Sequence, residues 1–447
     1  MKDFTKGPIA PALIEFTIPL VLGNIFQLLY NAVDSLIVGR FVGKEALAAV
    51  GTSNPLMTLA ILFFNGITLG AGILIGNHYG SGDHDKMRRQ ISTTMLAGIG
   101  FSLVVSLLTI LLAKPLLMLL QVETEVLQIS ADYLRIIFIG LVFTFMYNAL
   151  AGSLRALGDS MGPLIFLVIS SVINVIGDLI LVVGFRMGVH GAALSTVLSE
   201  ALSVLFCAVY IRRKVPVLHL GKEWLIFDHT ILKQTLAYGT TSALQQATVQ
   251  LGKIGVQAIV NTMGVSAMAA FTIVNRVDDF VYTPQQNIGH AMTSFMAINK
   301  GAGEQKRMRS GFKDGMIIEI AYGGILFLVC FFLARPIVTL FTTDEEVILH
   351  GTTYLKYIAG MYFLPALTNG IQGYFRGIGD LKITLISSMT NMGVRLIFAL
   401  IFVFGFGKEI EAMPLSYMIG WIAMLIVEMP LLFRSLRNMR AESVSDS

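Results

Sequence analysis

Long runs of apolar residues, separated by short polar segments, recur along the whole chain. Each run reaches about 20 residues, the length that an α-helix needs to cross the hydrocarbon core of a bilayer. The pattern therefore predicts twelve transmembrane helices. They cover residues 12–39, 51–77, 91–113, 131–151, 163–184, 189–210, 233–260, 268–298, 312–334, 352–374, 383–405 and 410–433.

The composition supports this interpretation and excludes other classes of protein. Of the 447 residues, 55% are hydrophobic and 13% are charged, against about 25% charged in ordinary globular proteins. The mean hydropathy is +0.74. The polar segments are too short for a nucleotide-binding domain, and a dispersed net charge of +4 does not suit a nucleic-acid surface. We expect an all-α polytopic membrane protein that binds membrane lipids and no nucleic acid.

The charges of the connecting segments predict the orientation of the chain. Twenty-one Lys and Arg residues fall in the segments of one side, and six fall on the opposite side. Because positive residues favour the cytoplasmic side, both termini should be cytoplasmic. We expect an N-terminal lobe at 1–210, a cytoplasmic inter-lobe loop at 211–232, a C-terminal lobe at 233–440 and a disordered tail at 441–447.

The chain contains an internal duplication with an offset of 221 residues. Six predicted helices per repeat is an even number, so the two repeats enter the membrane from the same side and are parallel. Two such six-helix bundles around a central cleft are typical of transporters that work by alternating access. Matching pairs include Gly43 with Gly264, Asn54 with Asn275, Gly82 with Gly303, Tyr133 with Tyr354, Asn148 with Asn369, Arg155 with Arg376, Gly158 with Gly379 and Asp159 with Asp380.

Acidic residues inside the predicted spans are candidate functional groups, because a charge at the bilayer centre costs about 2.5–3.5 kcal/mol on insertion scales. Asp34, Asp178 and Thr196 lie on three different helices, each roughly 7–10 Å from the outer end of its span at 1.5 Å per residue. Asn174 is one helical turn from Asp178. Two carboxylates, an amide and a hydroxyl suit a proton, or Na⁺ as a hard cation that prefers oxygen ligands. If the ion is Na⁺, these four residues are its ligands.

The second repeat does not reproduce this acidic pocket. At the 221-residue offset Asp34 falls on Gly255 and Thr196 falls on Tyr417. A slip of four residues aligns Asn174 with Asn391 and Asp178 with Arg395. We therefore expect ion coupling in the N-terminal half. Glu200 is also deep in its span, but it ranks below the aspartate pair.

Six stretches, distributed over both repeats, carry a resemblance to a known family. They are YNAVDSLIVGRFVGKEALAAVG (30–51), HYGSGDHDKMRR (78–89), AGSLRALGDSMGP (151–163), NVIGDLI (174–180), AAFTIVNRVDDF (269–280) and NKGAGEQKRMR (299–309). Together they resemble the multidrug and toxic compound extrusion (MATE) family, in its prokaryotic DinF- and MepA-like branch. The resemblance implies two six-helix lobes and drug efflux driven by H⁺ or Na⁺, by a secondary transporter that is not an enzyme and needs no cofactor besides the coupling ion. Asp34, Asn174, Asp178 and Thr196 match the cation-coupling residues of that branch.

The resemblance also implies which residues contact the transported compound. Gln27 and Tyr30 match positions that line the drug cavity of that branch, and Asn31 belongs to the same polar stripe of the first helix. With Asn148 they form the candidate substrate-binding set. We expect small lipophilic substrates, often cationic, and a monomer in the bacterial cytoplasmic (inner) membrane that contributes to drug resistance.

The sequence leaves two other functions open. A flippase for a lipid-linked or other amphiphilic substrate would favour a cation-lined cleft, for which Lys253, Arg276 and Arg395 are available. A channel is also compatible with a duplicated bundle. An intramembrane enzyme is disfavoured, because the sequence has no HExxH motif and its seven histidines do not form a ligand cluster.

Overall fold

The computed structural model describes residues 3–218 and 225–445, and within these ranges the chain is helical, with no strand. This confirms the predicted all-α class. Residues 219–224 of the predicted inter-lobe loop, and 446–447 of the predicted tail, lie outside the described residues. The helix α14 extends through residues 441–445, where we expected a disordered tail.

Each predicted span corresponds to one helix or to a consecutive pair of helices. Fourteen α-helices are described, and α5 and α13 each continue into a π-helical turn, at Leu179–Gly184 and Ile401–Gly405. The α-helices are α1 Ile9–Phe41, α2 Lys44–Gly80, α3 His84–Leu119, α4 Thr124–Ala156, α5 Met161–Asp178, α6 Gly188–Lys214, α7 His229–Val260, α8 Val265–Gly301, α9 Gln305–Phe332, α10 Ala334–Thr339, α11 Glu345–Ala359, α12 Phe363–Gly377, α13 Leu381–Leu400 and α14 Ala412–Ser445.

Nine helical segments in the described part of the chain are long and apolar enough to cross a membrane. The other three predicted spans correspond to α7, α8 and the α11–α12 pair. Helices α7 and α8 are 32 and 37 residues long but carry more polar residues, and α11 and α12 are separated by a break at residues 360–362. Pro365 lies in the first turn of α12, where the missing N–H of proline interrupts no helical hydrogen bond.

The helix boundaries repeat with the same 221-residue offset as the sequence. The offset moves α2 (Lys44–Gly80) onto α8 (Val265–Gly301), and moves the ends of α4 (Thr124–Ala156) onto the outer ends of the α11–α12 pair (Glu345 and Gly377). Left-handed backbone conformations repeat as well: Gly158 and Gly379 have φ of 87° and 85° after α4 and α12. Glycine tolerates this conformation at a helix end because it has no Cβ. The turns are therefore duplicated together with the helices.

The chain divides into two compact units. Their boundaries differ from those of the N-terminal and C-terminal lobes expected from the sequence. Of the described residues, unit 1 contains 18–218 and 225–243, and unit 2 contains 3–17 and 244–445. Residues 3–17, expected in the N-terminal lobe, thus belong to unit 2, and residues 233–243, expected in the C-terminal lobe, belong to unit 1. Both α1 and α7 are divided between the two units.

Specific contacts hold each of these segments in its unit. In unit 2, the guanidinium of Arg307 donates to the carbonyl oxygens of Phe4, Lys6 and Gly7 at 2.7–3.0 Å, and the Phe4 ring is 1% exposed. In unit 1, Gln90 Nε2 donates to Thr235 Oγ1 on α7 at 2.6 Å. Buried side chains and hydrogen bonds therefore fix the unexpected unit boundaries.

Each unit has its own apolar core. The core of unit 1 draws on α1 to α6, and the core of unit 2 on α7 to α14. Glycines let the helices of unit 1 approach closely: a Cβ at Gly98 of α3 would overlap the ring of Phe145 on α4. The core therefore packs α4, α5 and α6 closely beside the polar residues of unit 1.

Candidate functional site

A polar stripe on α1 forms one wall of the candidate site in unit 1. Gln27, Tyr30, Asn31 and Asp34 follow the i, i+3, i+4, i+7 spacing that places residues on one helix face. Asp34 and Tyr30 are half-buried, whereas Gln27 and Asn31 are exposed. The stripe therefore offers one buried acid, with polar side chains that remain accessible beside it.

The carboxyl group of Asp34 lies against that of Asp178 in the interior of unit 1. Asp178 is fully buried and stands where α5 passes into its π-helical turn. One oxygen of each carboxylate, Oδ1, has no hydrogen-bond partner among the described residues. Unpartnered buried oxygens are energetically costly, and a proton or a small cation shared by the pair would satisfy both.

Asn174 connects this acid pair to α6. The side-chain amide of Asn174 is oriented with its nitrogen towards hydrogen-bond acceptors. In this orientation Asn174 Nδ2 donates to Asp178 Oδ2 at 3.3 Å, and Asn174 Oδ1 accepts from the Thr196 backbone N–H at 3.2 Å. The orientation is assigned from this hydrogen-bonding pattern. The amide thereby positions the carboxylate of Asp178 relative to α6.

The Thr196 side chain completes the predicted set. Its hydroxyl donates to the carbonyl oxygen of Ala192 at 3.1 Å, which leaves the hydroxyl oxygen available as an acceptor or ligand. The Tyr30 hydroxyl approaches Thr196 from α1. A hydroxyl oxygen next to an amide and two carboxylates provides the oxygen-rich environment that Na⁺ prefers.

Close helix packing brings these groups together. Gly177 on α5 faces Ser195 on α6, and a Cβ at Gly177 would lie 2.5 Å from Ser195 Oγ. Ser195 Oγ donates to the backbone carbonyl of Asn174 at 2.7 Å. Residues 174–178 are therefore held against α6 by contacts that leave no space for a larger residue at position 177.

Asn148 and Glu200 extend the site along α4 and α6. Thr144 Oγ1 donates to Glu200 Oε2 at 2.5 Å, and Asn148 Nδ2 donates to the carbonyl oxygen of Thr144 at 2.8 Å. Asn148 is thus one helical turn from the residue that binds Glu200. Glu200, ranked below the aspartate pair from the sequence, lies four residues after Thr196 on α6.

The structure brings the predicted coupling residues together, while their roles stay predictions. Asp34, Asn174, Asp178 and Thr196 form one cluster, and Tyr30 adjoins it. Among the described residues, no group of three or more His, Cys, Asp and Glu side chains could hold a metal ion. A bound Na⁺ at this cluster would therefore rely on amide and hydroxyl oxygens as well as on the two carboxylates.

The corresponding place in unit 2 carries the opposite chemistry. The structure keeps the 221-residue register here without the four-residue slip that we considered from the sequence. Ser170 contacts Ser199 in unit 1, and their partners at this offset, Asn391 and Gly420, are adjacent in unit 2.

In this register Arg395 takes the place of Asn174, and aromatic residues replace the polar residues of α6. Tyr417 stands where unit 1 has Thr196, and Trp421 where it has Glu200. The Arg395 guanidinium is stacked on both rings, 3.9 Å from the Tyr417 centroid and 5.2 Å from the Trp421 centroid. With 6% of its surface exposed, it is a buried internal cation in a cation–π arrangement.

Two helical units built from one repeat, with many helices long enough to cross a bilayer, define a duplicated multi-pass membrane protein. A family model described as MatE matches residues 19–180 and 242–401. These two segments cover most of the chain and one segment falls in each repeat. The chain therefore belongs to the MatE family.

Curated relatives extend along nearly the full length of the chain. "Probable multidrug resistance protein YoeA" of Bacillus subtilis (strain 168) is 30% identical over 94% of this chain and 91% of its own length. "Multidrug export protein MepA" of Staphylococcus aureus (strain MSSA476) is 26% identical over 85% of this chain and 84% of its own length.

Solved structures share the fold at lower identity. "Crystal structure of MATE in the bent conformation" superposes with a TM-score of 0.91 at 21% identity, covering 99% of this chain and 98% of that chain. An outward-facing conformation of a multidrug resistance MATE family transporter superposes with a TM-score of 0.87, also at 21% identity, covering 98% of each chain. These comparisons confirm the fold predicted from the apolar runs and the 221-residue repeat.

Proposed function

We propose that this protein is a cation-coupled multidrug efflux antiporter, which exports lipophilic, often cationic compounds in exchange for H⁺ or Na⁺. The observation that carries the proposal is the Asp34–Asp178 pair, with one unpartnered buried oxygen on each carboxylate. The names of the curated relatives, which are multidrug resistance and export proteins, support the substrate class.

In the proposed cycle, an external cation enters the cluster and is bound by the carboxylates of Asp34 and Asp178. Because Asp34 is on α1 and Asp178 is on α5, a cation shared by the two carboxylates weakens their mutual repulsion and stabilises a different packing of α1 against α5. This change releases the exported compound from the polar stripe of α1 to the outside. The transporter then returns with the cation still bound and releases it to the cytoplasm.

Such a cycle requires an energised membrane. We propose that the protein is a monomer in the bacterial cytoplasmic membrane with both termini in the cytoplasm, as the distribution of Lys and Arg favours. No enzymatic step and no resident cofactor take part.

The test is transport of a fluorescent lipophilic cation by proteoliposomes in which the pH gradient and the Na⁺ gradient are imposed separately. We expect efflux driven by one of the two gradients, and loss of that coupling in Asp34→Asn, which keeps the shape of the side chain and removes its charge. Asp279→Asn, which changes an exposed acid of unit 2, is the matched control and should transport normally. Unimpaired coupled efflux by folded Asp34→Asn would exclude the acid pair from the mechanism.

A flippase for a lipid-linked substrate is the alternative function. One of its three candidate cations, Arg395, is buried and stacked between rings in unit 2, which leaves Lys253 and Arg276 as the exposed ones. Absence of drug transport under both gradients, together with movement of a fluorescent anionic lipid between leaflets, would favour the flippase.

A further inference from the structure

Glu200 is a carboxylate that the proposed cycle does not yet use. It is on α6, one turn after Thr196, and is half-buried. Its Oε2 accepts a hydrogen bond from Thr144 Oγ1 at 2.5 Å. A neutral hydroxyl partner orients the carboxylate but does not balance its charge.

The groups that face Glu200 come from several helices, and none of those identified is basic. Tyr30 on α1 interacts electrostatically with both Asp34 and Glu200. Tyr133 on α4 interacts with these two acids and with Asp178 on α5. Thr144 is the partner of Glu200 on α4. Three acids therefore share one region of unit 1, with two phenols among them and without a cationic side chain among these described neighbours.

The second repeat provides an internal comparison for this group. At the 221-residue offset, Asp34, Asp178 and Glu200 correspond to Gly255, Ala399 and Trp421, and Thr144 corresponds to Pro365. All three acids and the hydroxyl that binds Glu200 are thus present in one unit and absent from the other. Glu200 is therefore present and absent together with the aspartate pair, as expected for a member of the same functional group.

Charge balance indicates what Glu200 binds. One monovalent cation at the Asp34–Asp178 pair offsets only one of the two aspartate charges, so none of its charge remains to balance Glu200. An uncompensated charge inside the protein is unfavourable away from water. Na⁺ needs several oxygen ligands, whereas Glu200 has the single hydroxyl of Thr144 beside it. A proton requires only one carboxylate oxygen, and Oε1 remains available for it because Oε2 already accepts from Thr144.

We propose that Glu200 is a third acid of the coupling site and carries a proton of its own, separate from the cation at the Asp34–Asp178 pair. This inference rests on the proposed antiport function. In each turnover Glu200 takes a proton from external water and releases it to cytoplasmic water, so that two cations are exchanged for one substrate molecule. No oxidant, reductant or other reactant is needed.

The number of coupled protons is measured from the substrate gradient at which net flux stops. Proteoliposomes hold equal Na⁺ on both sides, a gradient of one pH unit, and a membrane potential clamped at zero with K⁺ and valinomycin. Each coupled proton then sustains an about tenfold gradient of the lipophilic cation. The wild-type gradient should exceed that of Glu200→Gln by a factor of about ten, whether the first site takes H⁺ or Na⁺.

Three further measurements keep the inference falsifiable. Glu200→Asp retains an acid and should restore the wild-type gradient, and Glu123→Gln, an exposed glutamate before α4, should not change it. If Glu200→Gln binds but does not translocate the fluorescent cation, protons released on binding are counted in detergent, and one fewer is expected. An unchanged gradient or proton count in Glu200→Gln would overturn the role of Glu200, even if transport becomes slower. Wild-type protein that builds no substrate gradient under either a pH gradient or a Na⁺ gradient would instead refute the antiport function itself.

Discussion

Replacement of Arg395 by methionine tests whether the two units have different tasks. Arg395→Met keeps an unbranched side chain of similar length but removes the guanidinium that stacks on Tyr417 and Trp421 at 3.9 and 5.2 Å. Cation–π contacts contribute from about 0.5–1 kcal/mol at exposed sites to about 2 kcal/mol when desolvated. Because Arg395 is only 6% exposed, we expect a total loss of about 2–3 kcal/mol from the two rings.

The assay is thermal unfolding of the purified protein in detergent, together with coupled transport in proteoliposomes. A body of 150–250 residues loses roughly 2–4 °C in melting temperature per kcal/mol, so Arg395→Met should melt about 4–12 °C lower. Coupling should remain intact, since the acid pair lies in unit 1. Lys253→Met removes an exposed cation from the same unit and should leave the melting temperature unchanged.

Either of two results would refute this reasoning. If Arg395→Met melts with the wild type, the guanidinium does not stabilise α13 against α14. If Arg395→Met melts normally and loses coupling, Arg395 takes part in ion exchange, and the assignment of coupling to unit 1 alone is wrong.

Two glycine substitutions make further predictions about unit 1. Gly98→Ala should destabilise the protein by about 1–3 kcal/mol through overpacking, because the new Cβ would overlap the buried ring of Phe145. The control is Gly100→Ala on the same helix, whose Cβ meets no atom within 4 Å and which should melt like the wild type. Equal melting temperatures of both variants and the wild type would contradict the packing argument. Gly158→Ala should cost about 1–2 kcal/mol, because φ is 87° there and a Cβ disfavours the left-handed region; an unchanged melting temperature would show that this turn relaxes without cost.

The sequence predicts the helices well because the bilayer imposes a simple rule. Every backbone N–H and C=O in hydrocarbon must be satisfied within a helix, so apolar runs of sufficient length become helices regardless of distant contacts. The break between α11 and α12 at residues 360–362 and the π-helical turns after Asp178 and Leu400 are not predicted. They depend on local packing, to which a 20-residue hydropathy average is insensitive.

The sequence also predicts the acid cluster, but not the hydrogen bond between Thr144 and Glu200 beside it. Asp34 and Asp178 are conspicuous because charges are rare in apolar runs. The Thr144–Glu200 hydrogen bond joins residues 56 positions apart, and only the packing of α4 against α6 reveals it. For Arg395 the sequence alignment with a four-residue slip was wrong. In the unslipped 221-residue register, its two aromatic partners, Tyr417 and Trp421, correspond to Thr196 and Glu200.

The exchange of leading segments between the units has a consequence for the origin of the fold. Residues 3–17 complete unit 2, and the segment of α7 up to Ala243, their counterpart in the second repeat, completes unit 1. A single ancestral repeat assembled in this manner is a domain-swapped homodimer, in which each subunit lends its first segment to the other. Gene fusion converts that exchange from an intermolecular event, which depends on subunit concentration, into an intramolecular one. Neither half of the present gene therefore encodes a self-sufficient bundle, although each encodes six membrane spans.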